Sequence, residues 1–228
     1  MPIFHAIILG IAQGLTEFVP VSSSGHLELI PWLFQWNHFD GDSRIENTFD
    51  VALHLGTLSA LLTVLRKEAL LYSRAGLRAL LGRQRWNSDA KIGWLLLLSA
   101  APAAVAAILF ESFLLKQSSR IAVIAIGLAA FGLLLWVVDT RAKADPSRPD
   151  FSGPDALKIG AGQALALLPG VSRSGITITV ARMLGYDRHR SASVAFLMGI
   201  PIIAGAGLYR CYGVFSDGLP TGMWPALI

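Results

Sequence analysis

The chain has 228 residues, of which 54% are hydrophobic and only 15% are charged, and its formal net charge is +4. A soluble domain carries roughly 25% charged residues, so the composition excludes a soluble globular protein and indicates an α-helical protein with several membrane spans. The basic residues cluster in segments between apolar stretches, which favours a bilayer over nucleic acid as the partner. The single cysteine, Cys211, excludes an intrachain disulfide and a cysteine metal site.

Four stretches are apolar enough to span a bilayer, which takes about 20 residues. In chain order they are 49–65, 92–115, 120–138 and 192–209. Two other apolar stretches, 3–34 and 156–184, are interrupted near their middle by proline, serine and charged residues. We predict that each forms two half-helices joined by a polar turn, which is tolerated at membrane depth only where protein buries it or water lines it.

The basic residues also predict the orientation of the chain, because cytoplasmic loops carry an excess of Lys and Arg. Segment 66–91 holds seven of them and is predicted to be a cytoplasmic loop, as is the linker 139–155. Segment 37–47 and the short turn 116–119 are predicted to lie outside. The first interrupted stretch then starts and ends outside and the second inside, so two re-entrant hairpins enter from opposite faces.

An internal repeat agrees with this arrangement. Residues 10–15 (GIAQGL) align with 160–165 (GAGQAL), and residues 21–25 (VSSSG) align at the same offset with 171–175 (VSRSG). Further along, residues 51–56 (VALHLG) resemble 194–199 (VAFLMG). Repeats of opposite topology place a site at their interface near the bilayer midplane.

The predicted fold is therefore an all-α polytopic membrane protein. It forms a single membrane domain with an inverted-topology repeat, whose two re-entrant helical hairpins meet near the bilayer midplane. The halves are 1–66 and 156–210, and two spanning helices in 92–139 lie between them.

The first polar run contains the carboxylate of Glu17. Gln13 and Glu17 are spaced i, i+4 and share one helix face. A carboxylate here could bind a divalent cation or act as a base. The alternative is a helix cap, or a polar plug paired with Arg173.

The turn that follows contains Ser22, Ser23, Ser24 and His26. A serine needs a neighbouring base to act as a nucleophile, and imidazole is the usual one. A Ser-Ser-Ser-Gly run is also typical of a helix cap. The sequence alone does not fix which serine attacks.

The second run contains Arg173, whose planar fork can hold phosphate oxygens in a bidentate way. Ser172, Ser174 and Thr177 add hydroxyl donors. The alternative role for Arg173 is as a counter-charge for Glu17 without a ligand.

Asp50 and His54 lie four residues apart on a predicted span and so share a face. We expect His54, the deeper of the two, to face the bundle interior. Both are candidates for supporting the site.

At these two runs the chain resembles the undecaprenyl-diphosphatase family, also known as the bacitracin-resistance family. Residues 13–17 (QGLTE) match its Glu/Gln-x-x-x-Glu motif, and the serine-rich turn to His26 follows. Residues 169–177 (PGVSRSGIT) match its Pro-Gly-x-Ser-Arg-Ser-x-x-Thr motif throughout, and 184–188 (LGYDR) also looks like the family. The resemblance covers most of the chain. Gln13 stands where the family also uses Glu, which removes one charge from a metal site.

The resemblance implies an activity and a location. The activity is hydrolysis of undecaprenyl (polyprenyl) diphosphate to the monophosphate and inorganic phosphate, which recycles the lipid carrier for cell-wall synthesis. The location is the bacterial inner membrane, with the active site opening to the outer face. The resemblance also implies spanning helices after residue 210, which this chain is expected to lack. The assembly is left open between a monomer and a homodimer.

The resemblance also implies a role for each site residue. Glu17 and Gln13 bind a divalent metal, Mg or Ca; Ser23 is the nucleophile, with His26 activating it; and Arg173 clamps the diphosphate. Further substrate contacts are expected from Gln13, Ser22, Ser24, Ser172, Ser174 and Thr177.

Two other functions are compatible with the pattern. A lipid-phosphate transporter or flippase would also use inverted repeats with broken helices. A membrane scaffold would leave the buried Glu, His and Arg unexplained. A transporter needs no serine beside an imidazole, so Ser23 and His26 favour hydrolysis.

Overall fold

The computed structural model describes residues 1–36, 43–117, 120–148 and 150–217, and all regular elements among them are helical. In chain order the α-helices are α1 (Ile3–Phe18), α2 (Ser23–Leu33), α3 (Ser43–Val64), α4 (Arg66–Leu80), α5 (Ser88–Leu98), α6 (Ala101–Gln117), α7 (Ile121–Arg141), α8 (Gly153–Ala164), α9 (Arg173–Met183) and α10 (Arg188–Asp217). A short 3₁₀ turn, Leu165–Leu167, follows α8. The expected all-helical class is confirmed.

The described helices include three segments that are long and apolar enough to cross a membrane, namely Ser88–Phe110, Ile121–Arg141 and Arg188–Tyr209. A fourth crossing is formed if α3 and α4 count as one bent span. Large apolar side chains on these segments are exposed, such as Ile108 at 77% and Leu208 at 73%. Contiguous exposed apolar surface of this kind faces lipid. The chain is therefore an integral membrane protein.

Both interrupted stretches form two helices joined by a turn, as predicted. The first turn lies between α1 and α2, where Pro20 cannot donate a helical hydrogen bond. Ser22 caps α2 by accepting from the backbone N–H of Gly25. The second turn precedes α9, which Ser172 caps in the same way through the N–H of Gly175. Gly170 in this turn has a φ of +82°, a left-handed conformation that favours glycine.

Segment 66–91 is not the loop that its charges predicted, because residues 66–80 form α4. Ala75, Gly76 and Ala79 are buried against α5, and Trp94 Nε1 donates to the carbonyl of Gly76 at 3.2 Å. The helical period of these small residues stabilises the element despite its basic residues.

The predicted span 92–115 overlaps one candidate crossing, Ser88–Phe110, which has a short break between the end of α5 at Leu98 and the start of α6 at Ala101. Pro102 explains the break. It cannot donate to the carbonyl of Leu98, so the helical hydrogen-bond pattern is interrupted there.

Helix α7 positions α9 at both ends. Arg182, near the end of α9, donates to the carbonyls of Asp139 and Ala142, and its Nε lies 3.0 Å from Oδ1 of Asp139. At the other end, a Cβ added to Gly127 of α7 would lie 3.2 Å from Cα of Gly170. The second turn is thus held closely against α7.

Three predicted features lie outside the described residues. They are the outer segment at 37–42, the turn at 118–119 and the C-terminal end at 218–228.

Candidate active site

The two polar turns meet. A Cβ added to Gly25 would lie 3.6 Å from Cα of Gly170, and one added to Gly175 would lie 3.1 Å from the carbonyl oxygen of Pro20. In the predicted repeat, whose offset is 150 residues, Gly25 corresponds to Gly175 and Pro20 to Gly170, so the two contacts are the same pair with the halves exchanged. A contact of this reciprocal kind is typical of a two-fold relation.

Glu17, in the last turn of α1, is the centre of the polar contacts. Arg173 Nη2 donates to Glu17 Oε1 at 2.6 Å, and Ser23 Oγ donates to Oε2 at 2.6 Å. Gln13 Nε2 lies 3.4 Å from Oε2. The side chains of Arg173 and Glu17 are only 17% and 10% exposed. The two turns are close, as expected for hairpins that meet, and Arg173 and Glu17 form a direct ion pair. The depth of this pair in a bilayer stays a prediction.

Arg173 is held by α10 as well as by Glu17. Its Nη1 lies 3.4 Å from the carbonyl oxygen of Ala195. One turn further along α10, a Cβ added to Gly199 would lie 3.0 Å from Cζ of Arg173. Gly199 therefore leaves the space that the guanidinium occupies. The similarity between 51–56 and 194–199 was the sequence signal for this segment, although it assigned no role to Gly199.

A cavity of about 180 Å³ lies beside this ion pair. Its polar wall comes from both turns and contains Glu17, Ser22, Ser23, Ser24, Ser172, Arg173 and Ser174. Apolar residues of α10, including Ile202 and Ile203, form another part of the lining. The cavity therefore brings together most of the predicted site residues and places them beside an apolar surface.

Gln13 and Thr177 are fully buried and do not line this cavity. Gln13 contacts Glu17 from one turn earlier on α1. The hydroxyl of Thr177 donates to the carbonyl of Arg173 at 2.7 Å and lies 3.5 Å from Gln163 Oε1. Both residues therefore contact the cavity-lining residues Glu17 and Arg173 without lining the cavity themselves.

Ser23 and His26 face different cavities. His26 lines a second cavity of about 320 Å³ together with Leu128 and Phe131 of α7. Its Nδ1 lies 2.9 Å from the carbonyl oxygen of Ser22, whereas Ser23 Oγ donates to Glu17. The proposed activation of Ser23 by His26 stays a prediction, and the hydrogen-bond acceptor of Ser23 in the structure is Glu17.

The imidazole that lines the same cavity as Ser23 and Arg173 belongs to His54 of α3. Its Nδ1 lies 2.8 Å from the carbonyl oxygen of Asp50, which can only accept, so Nδ1 is the donor in this hydrogen bond. The sequence ranked His54 only as a supporting residue. Its i, i+4 spacing from Asp50 predicts which face of α3 it occupies. Which cavity that face lines depends on how α3 packs on α1 and α10.

The residues around Glu17 fit a divalent cation in the manner of magnesium. Magnesium takes one or two protein carboxylates and completes its shell with water and phosphate oxygens. Gln13 turns Nε2 toward the carboxylate, but its Oε1 is buried and has no hydrogen-bond partner among the described residues, so rotation of the amide would offer a second hard oxygen. No group of three or more His, Cys, Asp or Glu residues suited to a metal occurs in the part of the chain described. Protein ligands would thus come from Glu17 and Gln13.

The fold and the site together define an integral membrane protein with a charge-paired polar site between two broken helices. The chain belongs to the family described as bacitracin resistance protein BacA, which matches residues 6–226. The expected family is confirmed.

Named relatives cover nearly the whole chain. It is 41% identical over 221 residues to the undecaprenyl-diphosphatase of Pelotomaculum thermopropionicum, covering 97% of this chain and 80% of the relative. It is 43% identical over 226 residues to the undecaprenyl-diphosphatase of Geobacter metallireducens, covering 98% and 81%. It is 43% identical over 224 residues to undecaprenyl-diphosphatase 2 of Stutzerimonas stutzeri, covering 97% and 77%.

Proposed function

We propose that this protein hydrolyses undecaprenyl diphosphate, or a similar polyprenyl diphosphate, to the monophosphate and inorganic phosphate. The observation that carries the proposal is the meeting of Glu17, Ser23 and Arg173 in one cavity, in a family whose named relatives are undecaprenyl-diphosphatases. A carboxylate, a hydroxyl and a guanidinium are the groups that a phosphoryl transfer needs for proton removal, attack and charge stabilisation.

Arg173 is the group that binds the diphosphate. Its guanidinium borders the cavity and can turn a two-pronged donor face toward phosphate oxygens. Ser172 and Ser174 flank it at the start of α9, where backbone N–H groups and the helix dipole favour an anion. Substrate phosphate would compete with Glu17 for Arg173, since the Glu17 carboxylate accepts a hydrogen bond from Nη2 of Arg173.

Glu17 and Ser23 are placed to carry out the attack. The hydrogen bond of 2.6 Å allows Glu17 to take the hydroxyl proton as Ser23 Oγ attacks the terminal phosphorus. The new Oγ–P bond forms while the bond from that phosphorus to the bridging oxygen breaks, and the polyprenyl monophosphate leaves. Water then hydrolyses the phosphoserine. In the alternative route, a water deprotonated by Glu17 attacks directly and Ser23 only binds.

A divalent cation held by Glu17 and Gln13 would supply positive charge to neutralise the phosphate oxygens during transfer. The protein's own part in that arrangement is to keep Glu17 ionised and oriented, which the contacts from Arg173, Ser23 and Gln13 do.

The two broken helices are proposed to be re-entrant hairpins that enter the inner membrane from opposite faces, with the site opening outward. The reciprocal contacts of Gly25 with Gly170 and Gly175 with Pro20 support a two-fold relation between the turns. A polar turn inside a bilayer must be buried by protein or line a water-filled cavity; here the two turns contact each other, the second packs on α7, and both line the site cavity. The same architecture would suit a flippase, but the names of the relatives favour hydrolysis.

The direct test of the function is phosphate release by the purified chain in detergent with polyprenyl diphosphate and Mg²⁺ or Ca²⁺. We expect wild type to release one phosphate per lipid and Glu17→Gln to release almost none. A wild-type protein that moves the lipid across vesicles without releasing phosphate would make it a transporter.

We expect cysteine labelling to place the two basic segments, 66–91 and 139–155, on the cytoplasmic side. In a Cys211→Ser background, a membrane-impermeant maleimide added outside should label Asp40→Cys but neither Arg85→Cys nor Lys143→Cys. Labelling of Arg85→Cys and Lys143→Cys from outside would reverse the proposed orientation.

Gly199→Ala should lower the rate of hydrolysis by roughly tenfold or more, because its methyl group would displace the guanidinium of Arg173. Gly205→Ala makes the same change on the same helix, where a Cβ meets no atom within 4 Å, and should leave the rate unchanged. Equal rates for the two variants would show that Arg173 has room to move without loss.

A further inference from the structure

Helix α4 does not continue the direction of the span before it. The chain bends by 86° between α3 and α4, at Leu65. The two helices are long and apolar enough for a crossing only as a bent pair. With α3, the predicted span, as the part that crosses, α4 is nearly perpendicular to it and runs along the membrane surface.

The exposed surface of α4 has an apolar face. An α-helix turns by about 100° per residue, which places Leu70, Leu77 and Leu80 within an arc of about 80°. The same arc also holds Ser73 and, in the first turn, Arg66. All three leucines are exposed, while Ala75 and Ala79 on another face are buried against α5. Leu77 and Leu80 border a groove that they share with residues of α5 and α10, yet each of the three leucines keeps about half of its surface exposed.

A basic stripe borders the leucines. Lys67, Arg74 and Arg78 fall within an arc of about 40° by the same geometry, directly beside the leucine face. All three are exposed, and none has an ion-pair or hydrogen-bond partner among the described residues. Arg190 in the second half, by contrast, pairs with Asp150 at 2.8 Å. The only acidic residue of α4, Glu68, projects away from the stripe.

We propose that α4 is an interfacial helix whose Lys67, Arg74 and Arg78 bind the headgroups of anionic phospholipids while its leucine face lies among the upper acyl chains. Surface helices that bind anionic bilayers combine these two features. A soluble acidic partner would satisfy the basic stripe but would leave the adjoining leucines exposed to water, whereas the edge of a bilayer satisfies both faces together.

The proposal can be tested, in the absence of substrate, by measuring how labelled lipids quench a fluorophore placed on α4. A bimane fluorophore is placed on Ser73→Cys in the Cys211→Ser background, since Ser73 lies exposed near the leucine face. The full chain is reconstituted in phosphatidylcholine vesicles and titrated with phosphatidylglycerol or phosphatidylcholine carrying a nitroxide near the headgroup. Each Lys or Arg near an anionic surface changes binding by roughly fivefold. Nitroxide-labelled phosphatidylglycerol should therefore quench the bimane fluorescence at a mole fraction lower, by about that factor or more, than labelled phosphatidylcholine requires.

Charge variants with matched controls locate the effect. Lys67→Gln/Arg74→Gln/Arg78→Gln should abolish the preference, whereas the charge-preserving Lys67→Arg/Arg74→Lys/Arg78→Lys should keep it. The control Arg83→Gln/Arg85→Gln/Lys91→Gln removes the same charge from exposed residues after α4 and should keep most of the preference. Equal quenching by both lipids in the wild type, no quenching by either, or the same loss in the control as in the α4 variant would each overturn the proposal.

Discussion

Arg173→Lys should slow hydrolysis by about 10²–10³-fold although it keeps the positive charge, which corresponds to about 2–4 kcal/mol of lost transition-state stabilisation. The guanidinium lies between Glu17 Oε1 and the carbonyl oxygen of Ala195 and borders the cavity with its remaining donors. A lysine ammonium is a compact charge without the planar fork, so it cannot keep these contacts and hold two phosphate oxygens together.

The measurement is phosphate release at saturating and at limiting substrate, with Arg188→Lys as the control. Arg188 pairs with Asp139, but its side chain is 72% exposed, and it lies outside the site cavity. Arg188→Lys should retain the wild-type rate. A near-normal rate for Arg173→Lys would show that Arg173 serves only as the counter-charge of Glu17.

Ser23→Ala should lower the rate of hydrolysis by at least about 10³-fold while leaving diphosphate binding largely intact, because Arg173 and the second turn still hold the ligand. Glu17→Gln should be similarly severe, and the double variant should be scarcely worse than either, since residues that act as one unit are not additive. Ser59→Ala, an exposed serine of α3, is the control. If Ser23→Ala kept most of the activity, the nucleophile would be water and not Ser23.

The same assay distinguishes the roles of the two histidines, His26 and His54. His54 shares the cavity of Ser23, whereas His26 lines the cavity on the other side of the turn. We therefore expect His54→Ala to impair hydrolysis more than His26→Ala. The opposite order would favour the role that the family resemblance implies for His26, and it would require the first turn to rearrange when substrate binds.

The two turns could be located from sequence because proline, serine and charged residues are rare inside apolar stretches. The basic residues of segment 66–80 favour a loop, whereas the helical spacing of Ala75 and Ala79 lets this segment pack as α4. Periodicity favours a helix wherever small residues can pack, whatever the other faces carry.

Which residues share a cavity could not be predicted from position in the chain. Ser23 and His26 are three residues apart on α2, yet the first turn separates their surroundings. His54 and Gly199 reach the site only because α3 and α10 pack beside it. The local sequence shows which reactive side chains each turn contains. The contributions of residues far along the chain, such as His54 and Gly199, depend on helix packing.

The reciprocal contact of the two turns bears on how the chain arose. A surface that contacts its own equivalent is the surface of a symmetric dimer, so a half-length ancestor could have paired with a second copy through this same turn. Duplication and fusion of its gene would join the pair in one polypeptide and allow the copies to diverge. Ser23 and Arg173 occupy equivalent positions and both bind Glu17, whose own equivalent is the apolar Leu167. A single chain can carry one carboxylate facing one arginine, whereas a dimer of identical halves would have to carry every such residue twice.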